Sequence, residues 1–165
     1  MSTPSPSPED SPSPSQSPSP SPLSSLPDST VITFPDPAFE AAVREAIGKP
    51  TGAITKGDVA GVTSLDVSGA LEVRGDIKDL TGIEYFTALT ELICYCNQLT
   101  TLDLSRNTAL TELNCSGNRL TTLDVSRNTA LTTLTCYDNY FPDKSAIIGL
   151  DESRTRITFG TQRSP

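Results

Sequence analysis

From Leu89 onward, apolar and polar positions alternate in a pattern that returns every 21 residues. The segments read "LTELICYCNQLTTLDLSRNTA" (89–109), "LTELNCSGNRLTTLDVSRNTA" (110–130) and "LTTLTCYDNYF" (131–141). Leu89, Leu110 and Leu131 form one column, Leu92, Leu113 and Leu134 a second, and Asn97, Asn118 and Asn139 a third. A fixed period of this length predicts a solenoid, each repeat being one coil stacked on the last. Within a coil, Leu-x-Cys reads as a short strand whose alternate side chains point inward. The "LTTLDLSRN" half repeats that logic, with Leu102 and Leu104 inward.

The same register fixes the expected role of the thiols. Cys94, Cys115 and Cys136 each follow an inward leucine by two residues, which predicts a column of small buried hydrophobes. A zinc site needs about four converging ligands, and the chain has neither paired C-x-x-C motifs nor a single histidine. Parallel thiols on successive strands are poorly disposed for disulfides. Cys96 stands outside the column, followed one period later by Gly117 and then by Asp138. It is expected to be exposed, inert and without a part in the repeat. No metal and no cofactor is expected. The asparagines three residues after the thiols should turn the chain and bond the backbone of adjoining coils.

A single coil is not stable alone. Its buried side chains contribute roughly 1.5–3 kcal/mol each, against an ordering cost on the order of 1–2 kcal/mol per residue. Stacking and end caps are therefore required, and the flanking sequence supplies them. In "FPDPAFEAAVREAIGKP", Asp36 can cap a helix with Pro37 in its first turn, and Phe39, Val43 and Ile47 share one face. Gly48 and Pro50 end it. Thr55 to Asp58 has the form of a capping box for a second short turn. The first coil, Val62 to Ala88, is longer than the others, and after Phe141 the period breaks before a strand-like "RITF".

Ahead of these elements, nine of the fourteen prolines lie between Pro4 and Pro27. This stretch has almost nothing to bury and reads as an extended, polyproline-like spacer. The organisation expected is a Ser/Pro-rich disordered spacer (1–29), an N-terminal helical cap (30–61), the repeats (62–141) and a C-terminal cap and tail (142–165). The formal charge of −8, with no basic stripe, would repel a polyanion, and no nucleic-acid partner is expected. No apolar run reaches the roughly 18 residues of a membrane span, and "MSTPSPSPED" lacks the pattern of a signal peptide.

The run "FPDPAFEAAVREAIGKP…ITKGDVAGVTSLDVSG…IKDLTGIEYFTALTEL" resembles the cap and first repeat of bacterial internalin-like leucine-rich-repeat proteins. The "LTxLxCxxNxLTxLDxSxNTA" coils are similar to their shorter nested repeats. The likeness covers about Val31 to Gln162. It implies an α/β fold: a short leucine-rich-repeat solenoid of right-handed, strand-rich stacked coils, with a helical cap before it and a strand-like cap after it. It also implies an exported or cell-surface binding protein, the cytoplasm being the alternative location. Two features depart from the family: no export signal is visible, and there are only about four coils.

Function is expected on the outward side of the first strands. Three columns line up there: Ser64, Glu91, Glu112 and Thr133; Asp66, Ile93, Asn114 and Thr135; Ser68, Tyr95, Ser116 and Tyr137. These positions vary while the inward ones hold constant. Ile93, Tyr95 and Tyr137 would form an apolar-aromatic patch rimmed by acids, the composition of a small interaction hot spot. The partner-binding set is thus Glu91, Ile93, Tyr95, Glu112, Asn114, Thr133, Thr135 and Tyr137, and the expected partner is a protein met by a monomeric chain. The competing view is that exposed tyrosines merely decorate a strand surface. Asp103, Asp124, Arg106 and Arg127 repeat so faithfully that turn chemistry and surface ion pairs explain them better than recognition. Arg74-Gly75-Asp76 has the form of an integrin-binding tripeptide, but a turn role for Gly75 outweighs it. "NCS" at Asn114 matches a glycosylation sequon in a strand and is discounted. Carboxylates on an open face lack the water-excluded cleft that catalysis needs, so the chain is read as no enzyme. Other readings are a structural fragment of a larger surface protein, or the remnant of an enzyme whose catalytic domain lies elsewhere.

Overall fold

The structure is a computed structural model that describes Ser2, residues 23–69 and residues 75–164. Among the described residues, seven short strands and two α-helices follow in the order α1 (Pro37–Ala46), α2 (Lys56–Val59), β1 (Ser64–Asp66), β2 (Glu91–Ile93), β3 (Glu112–Asn114), β4 (Leu123–Asp124), β5 (Thr133–Thr135), β6 (Ile147–Ile148) and β7 (Arg156–Thr158). β1, β2, β3, β5 and β7 form one parallel sheet in that spatial order, and β4 pairs with β6 in a second. Parallel neighbours need a long crossover between them. Here the crossover is the rest of each coil, so the sheet grows by one strand per turn of a solenoid.

Register follows the sequence columns. Leu65 lies beside Leu92, Leu92 beside Leu113 and Leu113 beside Leu134. The stack does not stop there, because Leu134 lies beside Ile157. The segment expected only to cap the stack adds a fifth strand to the sheet. Its Gln162 takes the place of the asparagine column, donating through Nε2 to the Cys136 carbonyl at 3.1 Å and accepting the Asn139 N–H at 3.0 Å. The interior is one contiguous apolar cluster running from Ile32 and Phe39 to Phe141 and Ile147.

At the N-terminal end, Asp36 accepts from the N–H groups of Ala38 and Phe39 as the cap of α1. Phe39 and Val43 are fully buried and Ile47 packs partly against the core. Gly48 at φ 66° carries the chain out of the helix. Thr55 and Asp58 form the expected capping box of α2. Asp36 has a second task that spacing did not reveal. Its Oδ2 accepts from the backbone of Lys78 at 2.7 Å and Asp79 at 3.1 Å, tying the helix cap to the first coil.

Candidate functional site

The outward face of the large sheet is built by the inward one. Each central strand is three residues long with its middle leucine fully buried, so its two flanking residues face away from the core. Cys94, Cys115 and Cys136 continue the inward set as a fully buried column. Burial, helped by the Asp66 carboxylate, pushes the Cys94 thiol up to about 12. Burial also pushes Cys136 up to about 12 and raises Cys115 well above the usual thiol range, with its two thiol neighbours adding to the effect. These are neutral packing groups, and all four cysteines are free.

The coil then turns on a residue of left-handed backbone. Cys96 (φ 54°), Gly117 (φ 68°) and Asp138 (φ 57°) occupy that place in successive coils. Cys96 therefore does have a role in the repeat, contrary to expectation, and it is half-buried instead of exposed. A Cβ at Gly117 would sit 3.2 Å from Cys96 Sγ, so the two coils meet closely here. This sharp turn brings the next residue, asparagine, inward. Asn118 donates to the carbonyls of Cys94 (2.9 Å) and Cys115 (3.0 Å), while its Oδ1 accepts the Leu99 N–H at 3.1 Å. Asn139 repeats the arrangement one coil on, to Cys115 and Cys136 with Leu120 as donor. Asn97 donates to Val67 O at 2.8 Å, but among the described residues its own Oδ1 meets no donor.

Two further ladders escaped sequence reasoning. Thr90, Thr111 and Thr132 each donate a hydroxyl to the backbone carbonyl of the threonine one coil earlier, at 2.9, 2.9 and 3.1 Å. Asn107 and Asn128 do for the second half-unit what the first asparagine column does for the strands; Asn128 reaches Leu104 O and Asn107 O at 3.0 and 2.9 Å. Both columns were visible as repeated letters; nothing in the letters said which way the side chains face. Asp103 and Asp124 are turn-formers as expected, each accepting the N–H two residues ahead, of Ser105 and Ser126, at 2.9 Å. Among the described residues neither Arg106 nor Arg127 forms an ion pair within 4.0 Å.

On the face itself, Glu91, Glu112 and Thr133 stand directly in register, and so do Ile93, Asn114 and Thr135. Arg156 and Thr158 extend the two rows onto β7. Glu112 is exposed, whereas Glu91, Ile93, Asn114, Thr133 and Thr135 are half-buried. Glu91 accepts from Ser64 Oγ at 2.6 Å. Asn114 is occupied internally, its Oδ1 holding the Ser116 hydroxyl at 2.6 Å. In the third row Tyr137 is 43% exposed and Tyr95 half-buried, but Ser116 between them is only 2% exposed and does not belong to the open surface. Tyr137 is backed by the following coil, where a Cβ on Gly160 would lie 2.6 Å from its own. Arg74 of the Arg-Gly-Asp tripeptide lies outside the described residues, and its Gly75 packs against the Asn97 side chain. Among the described residues no group of three metal-ligating side chains comes together, and no helix is long and apolar enough to cross a membrane.

Known proteins match this architecture in sequence and in shape, although no family model matches the chain. Over 75 residues, 45% of the chain, it is 47% identical to internalin J of Listeria monocytogenes, and that stretch is 8% of the relative's length. A solved structure of the functional domain of that Listeria protein, described as including a cysteine ladder, superposes with a TM-score of 0.65 at 40% identity, covering 78% of this chain and 28% of the other. The internalin inlF of the same species gives a TM-score of 0.68 at 25% identity, over 77% of this chain and 37% of its own. Internalin C2 gives 0.56 at 27% identity, over 79% and 67%. The chain is a homologue of internalin J with the leucine-rich-repeat fold of the internalins.

Proposed function

We propose that this chain is a non-catalytic protein-interaction module, displayed at the bacterial cell surface on its Ser-Pro spacer. It binds through Glu91, Ile93, Tyr95, Glu112, Thr133, Thr135 and Tyr137, with Asn114 shaping the turn beneath. The observation that carries this reading is the contrast between the two sides of one sheet. Inward columns are held to leucine and cysteine by stacking, whereas the outward rows differ from coil to coil and leave Tyr137 exposed. An aromatic side chain offers a large contact area at small entropic cost. The likeness to the internalins supports the same class of function.

The test is a Tyr95→Ala, Tyr137→Ala double variant in capture from the native environment. Capture should be lost while the melting temperature holds, because neither ring belongs to the buried core. Undiminished capture would remove the face assignment. A second reading, a structural portion of a larger surface protein with no ligand of its own, is favoured by the small share of internalin J that the chain spans. Under that reading no specific partner is captured by either form.

A further inference from the structure

The proposed face is electrically polarised, and this points to the chemistry of its partner. In the first outward row Glu91 and Glu112 lie directly opposite each other on adjacent strands. Like charges so placed repel and weaken a sheet. Among the described residues neither carboxylate has an ion-pair partner within 4.0 Å. Glu91 is steadied by the Ser64 hydroxyl, which fixes the carboxylate without neutralising it. Two strands further on, the same row ends in Arg156, exposed and likewise without an ion pair among the described residues. Between the two ends stands Thr133, which is neutral. Other cations of this end of the molecule are already engaged: Arg163 pairs with Asp138, and Lys144 with Glu152.

We infer that the partner presents an extended segment carrying a lysine or arginine over Glu91 and Glu112 and a carboxylate over Arg156. This inference rests on the proposed use of the face and deepens it. Adjacent strands are about 4.8 Å apart, so the centre of the glutamate pair lies roughly 12 Å from Arg156 across the sheet. An extended chain advances about 3.3 Å per residue and turns alternate side chains to one side, so a span of about 13 Å separates residues i and i+4. The expected recognition element is therefore a basic and an acidic residue four positions apart. An ammonium or guanidinium fits the glutamate pair better than a metal ion, since no third ligating side chain joins the two among the described residues. Opposite charges arranged this way select orientation and speed encounter.

A random-peptide display library selected against the full-length chain tests this. Enriched peptides should carry a Lys or Arg four residues from an Asp or Glu, and their binding should weaken as salt is raised. Binding should fall several-fold on the Glu91→Gln, Glu112→Gln variant and on Arg156→Glu. Replacing the peptide's acidic residue by lysine should restore binding to Arg156→Glu. Failure of any peptide to enrich, or enrichment without that charge pair, overturns the inference. If peptides lose binding to the tyrosine double variant but not to the charge variants, the face stands and the polarity is wrong. If they bind all variants equally, the face itself is wrong.

Discussion

Truncating Asn118 to alanine probes the stacking directly. Asn118 is fully buried, and its amide joins two coils through the carbonyls of Cys94 and Cys115 and the N–H of Leu99. The carbonyls are shared: Asn97 also reaches Cys94 O at 3.3 Å, and Asn139 reaches Cys115 O at 3.0 Å. Among the described residues the Leu99 N–H has only Asn118 Oδ1 as its acceptor, in a residue with no exposed surface. Stranding a buried donor costs about 1–3 kcal/mol, and the lost bonds to the carbonyls add a net ~1 kcal/mol, giving about 2–4 kcal/mol in all. Asn97→Ala is the internal control. Among the described residues Asn97 Oδ1 accepts from no donor, so its removal strands none of them and relieves an unpaired acceptor. Its cost should be about 1 kcal/mol, chiefly from the Val67 carbonyl. Urea unfolding of the full chain, followed by circular dichroism with both variants side by side, reads the difference. If Asn118→Ala costs no more than Asn97→Ala, the amide ladder is not what binds coil to coil.

In thiol labelling of the native chain, Cys96 should react, while Cys94, Cys115 and Cys136, fully buried, stay silent until unfolding. Asp36→Ala should cost more than the ~1 kcal/mol of an ordinary N-cap, because four N–H groups in two elements lose their acceptor. Burial works to raise the Asp36 pKa, but these four bonds outweigh it and hold it below 3.8. A depressed folded value contributes stability that is present above pH 3.8 and lost as pH falls through the lower folded pKa. Acid unfolding of Asp36→Asn should therefore show a shallower decline over that window, and an unchanged profile would contradict the bridge. Gly149→Ala should destabilise by at least the ~1–2 kcal/mol of left-handed backbone, because φ is 78° and the new Cβ would lie 2.4 Å from Ser126 Cα; a neutral melting temperature would refute that close approach.

The sequence by itself determined everything that depends on period. Leu92, Leu113 and Leu134, the thiols beside them and Asn97, Asn118 and Asn139 recur at one spacing, and equal spacing in a stacked chain means equal environment. The helical cap was legible for a local reason: Asp36, Pro37 and Gly48 act within a few residues of themselves. What spacing could not carry is contact between segments that do not repeat. The reach of Asp36 to Lys78 and Asp79 is such a contact, and so is the addition of Arg156–Thr158 as a fifth strand. Ile157 and Gln162 hold their places by hydrogen bonds and partial burial, which tolerate a change of letter that a search for repeats does not. The left-handed column shows the same limit, since Cys96, Gly117 and Asp138 share a backbone angle and no side-chain chemistry. Periodicity records which residues are equivalent; only the folded coils decide which way each one turns and what stands opposite.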